Sequence, residues 1–377
     1  MTKTRISIKD YFYHKIGVRS HLADNKDVCN MIRFLFNVVL PILKLISIIY
    51  GFIVTLRNFL YDVGIFKIRN LDCMVISVGN ITVGGTGKTP AVISLAGFLM
   101  EKKKKVAILL RGYKGIEKES TIINFPDRLN NNSDEISDEA VMIAKELPEA
   151  LVITGKDRFK SGLIAHETVH PDVIILDDGY QHRKIKRDID ILILDYKKPF
   201  GNGKMLPAGT MREKLKNIKR ADAIIFSRVK DDFRFENIPD PLKNLLTLFR
   251  KYSAADHKPV SIFKYPDNTE VPDDELKGKK FITFSGIGKP ESFVDSLKRL
   301  KLEVIDSIVF DDHHKYIDKS YGEISSRVNK LNSNNLMTTE KDIVKIDSDK
   351  LGGCNLYFLR ISFEFKDGFP GWKGLLT

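Results

Sequence analysis

The sequence predicts an α/β protein with a mostly parallel sheet, a second, smaller α/β domain and an N-terminal membrane-associated helix. Three observations predict this architecture. Short apolar runs alternate with helical periods in the middle of the chain, a new strand–turn–helix pattern begins near residue 280, and the most apolar run lies near the N-terminus. Apolar strands joined by helices form βαβ units, and such units build parallel sheets.

Length and composition are those of an ordinary globular protein of more than one domain. The chain has 377 residues, of which 29% are charged and 43% hydrophobic, and a net charge of +12. A basic chain suits nucleic acid, an anionic membrane surface or a phosphorylated substrate, and charge alone does not choose among them. The cysteines Cys29, Cys73 and Cys354 have no paired spacing, which argues against a disulfide framework or a zinc site and fits a reducing cytosol.

Changes in composition along the chain suggest three parts. We expect an N-terminal segment over residues 1–69, a nucleotide-binding domain over 70–240 and a smaller C-terminal domain over 241–377 that closes the cleft. The stretch 231–258 is charged and interrupted by prolines, which is typical of a domain boundary or linker.

The N-terminal segment contains an apolar run over residues 31–60 that has the period of a helix. Its few polar or small residues fall on one narrow stripe: Arg33, Asn37, Lys44, Ser47, Gly51, Thr55 and Asn58. We therefore favour an amphipathic helix in a membrane interface, with its polar stripe toward protein or water. Two alternatives remain: a buried core helix, and a single transmembrane span with Lys44 near the bilayer centre. A long polar segment precedes the run, so we expect no cleavable signal peptide.

A glycine-rich loop follows the first apolar strand of the nucleotide domain. The loop consists of Thr82, Val83, Gly84, Gly85, Thr86, Gly87, Lys88 and Thr89, and a helical period begins directly after it. This arrangement indicates a phosphate-binding loop, although Thr82 stands where the strict pattern has glycine. The glycines let backbone N–H groups surround a phosphate, Lys88 reaches the β- and γ-phosphates, and the Thr89 hydroxyl suits Mg²⁺.

Other polar residues follow the ends of the remaining apolar strands. The strand before Asp177 and Asp178 ends in this carboxylate pair, which close to a phosphate-binding loop is typical of a Mg²⁺ site; the alternative is a capped turn. Arg158 follows another strand on the side where ligands bind in open α/β sheets. The glycine-rich segment 201–209, with Arg212 behind it, suits an anionic group.

Two further residues have both an ordinary and a functional interpretation. Asp138 begins a helix that runs to about residue 147, where an acid often caps the helix or interacts with its dipole. His313 follows the strand predicted over residues 305–310, and a histidine there is structural, metal-binding or catalytic.

Several motifs occur together and in a fixed order over nearly the whole chain. They are GNITVGGTGKTP (79–90), RGY (111–113), SDE (137–139), DDGYQHRKIKRD (177–188), GNGKMLPAG (201–209) with Arg212, FSGIGKPESF (284–293), DDHH (311–314) and TTEKD (338–342). Together they resemble the tetraacyldisaccharide 4'-kinase family, the lipid A 4'-kinases of Gram-negative bacteria. The resemblance implies an enzyme that uses ATP and Mg²⁺ to phosphorylate the 4'-hydroxyl of an acylated glucosamine disaccharide 1-phosphate. It also implies attachment to the cytoplasmic face of the inner membrane and no nucleic-acid partner.

The same resemblance implies roles for individual residues. Asp138 matches a catalytic base that works with the histidine at His313, and Lys88 completes the catalytic set. Asp177 and Asp178 match metal-site acids, while Arg158, Gln181 and Arg212 match positions near the nucleotide or the substrate anion. We expect Lys88 and Mg²⁺ to neutralise charge on the γ-phosphate while Asp138 accepts the proton of the sugar hydroxyl.

The alternative function is a P-loop ATPase that acts as a nucleotide-dependent switch or targeting factor at the membrane. Against a GTPase switch, the chain has no Asn-Lys-x-Asp motif for guanine. Against a switch and against a targeting factor, acids and histidines cluster at strand ends in both predicted domains. Transfer of labelled phosphate from ATP to lipid would distinguish a kinase from such a switch.

Overall fold

The computed structural model describes residues 26–112, 120–123, 137–229, 251–368 and 370–377, with Glu236, Ile238, Lys243 and Leu246, and describes side chains from residue 39 onward. Three of the sequence predictions fall outside the described residues or side chains: Tyr113 of the RGY motif, the side chains of Arg33 and Asn37 on the polar stripe, and most of the linker expected before residue 251.

Thirteen strands among the described residues form one sheet. They are β1 (Met74–Gly79), β2 (Val106–Leu110), β3 (Thr121–Ile123), β4 (Leu151–Thr154), β5 (Val173–Asp177), β6 (Ile189–Asp195), β7 (Ala223–Ser227), β8 (Tyr252–Tyr265), β9 (Thr269–Val271), β10 (Lys280–Ser285), β11 (Glu303–Val309), β12 (Asn335–Thr339) and β13 (Asn355–Phe365).

The described helices lie between these strands and at both ends of the chain. They are α1 (Lys26–Asp62), α2 (Lys88–Glu101), α3 (Asp138–Glu146), α4 (Arg158–Val169), α5 (Asp273–Leu276), α6 (Pro290–Arg299), α7 (Asp318–Leu331), α8 (Glu340–Ile343) and α9 (Trp372–Leu376), with 3-10 turns at Leu215–Arg220 and Ser348–Leu351. The predicted α/β class is therefore confirmed.

The order of the strands places the phosphate-binding loop near the middle of the sheet. The order is β3-β4-β2-β5-β1-β6-β7-β8-β13-β12-β10-β11, and β9 pairs with β8. Strand β1 lies between β5 and β6, parallel to both, and Val78 is in register with Asp177. Because neighbouring parallel strands end at the same edge, the loop after β1 and the acids after β5 emerge side by side. Both strands are apolar and buried, as expected for a parallel sheet covered on its two faces.

Strand β8 joins the two halves of the sheet. Its first residues, Tyr252 to Ala254, pair in parallel with β7, and the rest of the strand pairs antiparallel with β13. Residues 252–258 are thus part of a strand, although their composition suggested a linker. Tyr252, Ser253 and Ala254 extend the ladder of β7, and this tertiary pairing outweighs the local polar signal. The domain boundary expected near residue 240 stays a prediction.

Helix α1 presents an apolar face to the outside of the molecule. Ile48 is 69% exposed and Phe52 66% exposed, whereas Ser47 and Asn58 on the polar stripe are buried. The alternative of a buried core helix is therefore wrong. Ser47 and Asn58 of the polar stripe face protein, whereas Lys44 is exposed, which fits a stripe directed toward protein or water. By length and composition, residues Val39–Asp62 would also be sufficient to cross a membrane.

Polar contacts fix the inner face of α1 on the nucleotide half. The Asn58 side chain donates a 2.9 Å hydrogen bond to Glu213, and Arg183 donates one of 2.9 Å to the carbonyl of Asn58. The Ser47 hydroxyl donates to the carbonyl of Met205 at 3.1 Å. Glu213 is fully buried and paired with Arg220 at 2.8 Å, so these contacts satisfy groups that would be costly to bury alone.

Candidate active site

Two glycines and the contacts of Thr86 determine the backbone shape of the phosphate-binding loop. Gly84 and Gly87 have φ angles of +105° and +84°, which side-chain-bearing residues rarely adopt. The Thr86 carbonyl accepts a 2.7 Å hydrogen bond from the Ser227 hydroxyl, and the Thr86 hydroxyl accepts one of 2.9 Å from Asn80. Helix α2 begins at Lys88, so the end of the loop is also the N-terminus of this helix. Backbone N–H groups at a helix N-terminus are free to bind an anion.

The acidic turn after β5 lies against this loop. Lys88 Nζ is 3.5 Å from Asp178 Oδ1, and Arg212 Nη1 is 2.6 Å from Asp178 Oδ2. Asp178 has a φ of +50°, a left-handed conformation that turns its carboxylate back toward the loop. Asp177 is only 6% exposed, and its Oδ1, like that of Asp178, is buried without a hydrogen-bond partner among the described residues.

Burial and neighbouring charges give these two acids different pKa values. Burial raises the pKa of Asp177 to about 6, and Lys88 only partly offsets this effect. Burial would also raise the pKa of Asp178, but Lys88 and Arg212 lower it well below its ordinary value. Asp178 is therefore ionised at neutral pH, and Asp177 is the acid that gains most from a nearby cation.

Arg158 and Gln181 support the loop and the turn from behind. The buried Arg158 guanidinium donates to the carbonyls of Asp177 at 2.5 Å and Asp178 at 3.2 Å. Gln181 Nε2 donates to the Asn80 carbonyl at 2.8 Å, and Gln181 Oε1 lies 3.4 Å from Arg212 Nη1. Both side chains thus contact the elements that flank the phosphate-binding loop, and their position near a nucleotide stays a prediction.

Asp138 and His313 approach one another from the two halves of the sheet. His313 Nδ1 is 3.4 Å from Asp138 Oδ2, and Lys345 Nζ is 3.2 Å from the same oxygen. This oxygen is buried, and these two nitrogens are its ion-pair partners among the described residues. A carboxylate has about four acceptor sites, so Asp138 can still accept a hydrogen bond from an incoming hydroxyl.

Asp138 and His313 each shift the pKa of the other. Burial raises the pKa of Asp138, but His313 and Lys345 lower it more, so the net shift is downward. Contact with Asp138 raises the pKa of His313 above its ordinary value, although burial and Lys341 oppose this. Asp138 is therefore ionised at neutral pH, and its role as a proton acceptor stays a prediction.

Helix capping does not explain Asp138. The N-cap of α3 is Ser137, whose hydroxyl accepts a 3.2 Å hydrogen bond from the Ala140 N–H. Asp138 is the first residue of the helix, and its side chain turns instead toward the C-terminal half. An N-cap role is thus wrong for Asp138, since the preceding serine already caps the helix. Asp138 and Glu139 nevertheless lie in the first turn, where the helix dipole favours acids, as the sequence also suggested.

The loops after β10 and β11 hold His313 in place. His313 has a φ of +61°, and its N–H donates to the Gly286 carbonyl at 3.1 Å. The Gly286 N–H donates to Asp342 Oδ2 at 3.0 Å, and Asp342 is fully buried. A left-handed residue other than glycine persists only where its surroundings fix it, as they do here. The second histidine, His314, stacks on Phe310 and bonds to Ser320, so it is structural.

Sequence reasoning missed three charged residues of this site. Lys341 Nζ lies 3.1 Å from His313 Nε2 and 3.2 Å from Glu139 Oε1, and Lys345 links Asp138 to Asp342. Lys341 belongs to the TTEKD motif and Glu139 to the SDE motif, which could have indicated them. Lys345 lies outside every motif, and only the fold brings it here.

The arrangement has the parts of a phosphoryl-transfer site. The loop and Lys88 can hold phosphates, and the Asp138 carboxylate can accept a proton. The described residues contain no group of three or more metal-binding side chains. The carboxylates of Asp177 and Asp178 nevertheless fit Mg²⁺, because this ion is usually bound by one or two carboxylates together with substrate phosphates and water.

Comparison with known proteins agrees with this geometry. Residues 39–372 match the family described as LpxK, tetraacyldisaccharide-1-P 4'-kinase. The chain belongs to this kinase family. The family named from the sequence motifs is thereby confirmed, and so are the predicted enzyme class and the kinase function.

Individual members of the tetraacyldisaccharide-1-P 4'-kinase family are similar along most of their length. The enzyme of Aquifex aeolicus is 40% identical over 303 residues, covering 80% of this chain and 88% of that protein. The enzyme of Pelobacter propionicus is 36% identical over 309 residues, covering 82% of this chain and 83% of that protein. A crystal structure of LpxK from Aquifex aeolicus in complex with ATP matches with a TM-score of 0.68 at 36% identity, covering 85% of this chain and 93% of that one.

Proposed function

We propose that this chain transfers the γ-phosphate of ATP to the 4'-hydroxyl of an acylated glucosamine disaccharide 1-phosphate and so forms the 1,4'-bisphosphate. The names of its family and relatives support this reaction. The observation that carries it is the Asp138 carboxylate. Its buried Oδ2 lies 3.4 Å from His313 Nδ1 and 3.2 Å from Lys345 Nζ, in a site that also contains a phosphate-binding loop.

In the proposed mechanism, each side chain positions a group or neutralises charge. The loop and Lys88 hold the phosphates of ATP, and Lys88 balances charge that develops during transfer. Asp138 Oδ2 accepts the proton of the 4'-hydroxyl as the oxygen attacks phosphorus. His313 holds the Asp138 carboxylate in place, and Lys345 keeps it ionised. Arg158 and Gln181 act on this site through the acidic turn and the loop.

Mg²⁺ would be held by the Thr89 hydroxyl and the Asp177 and Asp178 carboxylates. The buried Asp177 Oδ1, which has no hydrogen-bond partner among the described residues, supports this assignment, because a buried carboxylate oxygen needs a hydrogen bond or a cation. When bound, Mg²⁺ neutralises phosphate charge. Arg212, which contacts Asp178, would lie beside the substrate phosphates.

The same proposal includes attachment to the cytoplasmic face of the inner membrane. The apolar face of α1, which includes Ile48 and Phe52, is exposed, and its contact with water is unfavourable. The opposite face of α1 packs on the nucleotide half. A helix with one face covered by its own protein cannot be surrounded by lipid, so α1 would lie in the interface and not span the bilayer. A lipid acceptor would then reach the site along the membrane surface.

Phosphate transfer to lipid tests the proposed reaction. We expect the protein in mixed micelles to move label from γ-labelled ATP to a tetraacyldisaccharide 1-phosphate, and to leave an analogue without the 4'-hydroxyl unlabelled. ATP hydrolysis without labelled lipid would contradict the proposal and favour a nucleotide-dependent switch.

A double-mutant cycle tests the pairing of Asp138 with His313. We expect either alanine substitution to lower kcat by about 10²–10⁴-fold with little change in KM for ATP. Residues that serve one proton transfer are non-additive, so the double variant should be hardly worse than the worse single one. Thermal melts of the same four proteins are the control: additive losses, or a melting shift that accounts for lost activity, would contradict the pairing.

A further inference from the structure

One guanidinium in the C-terminal half holds carboxylates from two different helices. Arg360 of β13 pairs through Nε with Glu340, the first residue of α8, at 2.7 Å, and through Nη2 with Glu146, the last residue of α3, at 2.6 Å. The same guanidinium lies over the ring of Phe263 of β8, 4.2 Å from its centroid. These three charged residues form the Arg360 cluster, which joins α3 of the nucleotide half to the C-terminal half.

The Arg360 cluster lies at the far end of the helix that begins with Asp138. Glu139 and Glu146 of this helix are separated by close to two turns, so both side chains lie on one face of α3. Glu139 Oε1 pairs with Lys341 Nζ of α8 at 3.2 Å. Helix α3 is thus attached to the C-terminal half at both ends, once beside Asp138 and once about 10 Å further along its axis.

The charges of the Arg360 cluster are not arranged for maximal stability. Burial, together with Glu146, raises the pKa of Glu340 to about 7, although Arg360 opposes this effect. A single carboxylate on the guanidinium would avoid the repulsion between the two acids. Arg360 is also 34% exposed, and partly exposed ion pairs contribute little to stability. The contribution of Glu146 is therefore geometric, because it attaches α3 to a guanidinium that Glu340 and the sheet already hold.

Movement of α3 would affect the reaction directly. Asp138 is the first residue of α3, and its Oδ2 lies 3.4 Å from His313 Nδ1 and 3.2 Å from Lys345 Nζ, both in the C-terminal half. A shift of about 1 Å in a catalytic group can lower a rate about 10²-fold. We propose that Arg360 is a positioning residue, which holds Glu146 and thereby keeps Asp138 against its partners in the C-terminal half. This inference rests on the proposed function, in which Asp138 accepts the proton.

Kinase assays of Arg360 and Glu146 variants test this role. We expect Arg360→Ala and Glu146→Ala each to lower kcat by about 10–100-fold with little change in KM for ATP, because the phosphate-binding loop is unchanged. Glu146→Gln keeps an oxygen that accepts a hydrogen bond from the guanidinium, so it should restore most of kcat. Glu146→Ala leaves Arg360 paired with Glu340, so it tests the role even if Arg360→Ala does not fold.

The effect of Arg360→Ala should disappear when Asp138 is already disabled. A residue that acts only through Asp138 cannot lower the activity of Asp138→Asn further, so the two losses should be non-additive. Additive losses would show that Arg360→Ala loosens the fold in general and would overturn the inference. Asp138→Asn with a kcat near wild type would instead contradict the proposed function.

Titration of His313 supplies a readout that does not depend on activity. Contact with Asp138 raises the pKa of His313, so displacement of α3 should lower this pKa toward about 6.5. We expect NMR titration of the full-length protein to show the decrease in Arg360→Ala and Glu146→Ala, with the His313 signal assigned by its loss in His313→Gln. This measurement tests the position of α3 whether or not the proposed function holds.

A matched control is present within the C-terminal half. Arg327 pairs with Asp306 at 2.6 Å, the same distance as between Arg360 and Glu146, but it joins α7 to β11. We expect Arg327→Ala to leave both kcat and the pKa of His313 unchanged. Equal effects in Arg327→Ala and Arg360→Ala would overturn the inference, and so would an unchanged His313 pKa in the Arg360 and Glu146 variants.

Discussion

At the residue scale, the charges around the phosphate-binding loop are arranged so that one group can be lost without leaving another buried and unpaired. Asp178 has two cationic partners, Lys88 at 3.5 Å and Arg212 at 2.6 Å. Removing Lys88 leaves Asp178 paired with Arg212, so the usual penalty for an uncompensated buried charge does not apply. Lys88 can therefore be tested for function separately from folding.

Replacement of Lys88 by alanine should abolish phosphate transfer and leave the melting temperature nearly unchanged. The glycines define the loop backbone, and Lys88 contributes its charge to the phosphates. Kinase assays and thermal melts check this, with Lys104→Ala as the control because Lys104 belongs to an exposed pair with Asp172. Activity within about tenfold of wild type, about 1.4 kcal/mol, would contradict the role of Lys88.

His313 should make stability depend on pH in one direction. Its pKa is raised in the folded state, chiefly by Asp138. Its stabilising contribution is therefore fully present below about pH 6.5, the ordinary histidine value, and is lost as pH rises through the higher folded pKa. We expect the difference in Tm between wild type and His313→Gln to be larger at pH 6 than at pH 9. An equal or larger difference at pH 9 would show that the ion pair is not what stabilises the histidine.

At the element scale, α1 shows that an amphipathic helix can face its polar side inward. Asn58 and Ser47 on the narrow polar stripe bond to the nucleotide half, while the broad apolar face is exposed. Deleting residues 1–60 would therefore do more than remove a membrane contact. It would also take the Asn58 hydrogen bond away from the buried Glu213, which costs stability.

Surface substitutions on α1 separate attachment from folding. We expect replacement of Ile48, Phe52 and Phe59 by serine to move the protein from the membrane pellet to the supernatant, because each is more than half exposed, at 69%, 66% and 56%. Tm in detergent should change little. The exposed Val260 and Val309 lie outside α1, so Val260→Ser with Val309→Ser is the control and should stay in the pellet.

Continued pelleting of the α1 variant would place the attachment elsewhere. Extraction with high salt would then test the exposed lysines 102–105, since salt weakens electrostatic attachment and not apolar burial.

At the scale of the whole molecule, β8 makes the two halves depend on one another. One strand pairs with β7 at its start and with β13 along the rest. Lys289, just before α6, pairs with Asp195, and Arg299 at the end of α6 pairs with Asp256. Unfolding of either half removes a strand from the edge of the other. Such sharing favours cooperative unfolding over independent domains.

Calorimetry should therefore show a single unfolding transition, with a calorimetric enthalpy close to the van't Hoff enthalpy. Addition of ADP should raise the temperature of that one transition as a whole, because ligand binding stabilises whatever unfolds with its site. Two resolved transitions, of which ADP shifts only one, would show that the halves unfold separately despite the shared strand.

Local patterns allowed much of the fold to be predicted from the sequence. The apolar run before Gly79, the glycines of the loop and the acids after β5 depend on near neighbours in the chain, and all appear as expected. Prediction failed where a distant partner decided the outcome. Residues 252–258 became strand because β7 and β13 flank them, and Lys345 joined the site through the packing of α8.

The sequence by itself determined the α/β class, the phosphate-binding loop, the family and the two-sided character of α1. These follow from residue types and short spacings, which are fixed before the chain folds. Tertiary structure alone decided that Asp138 meets His313 and Lys345, and that Glu146 and Glu340 share Arg360. The physical reason is that such contacts depend on the order of strands in the sheet, and strand order is a property of the whole fold.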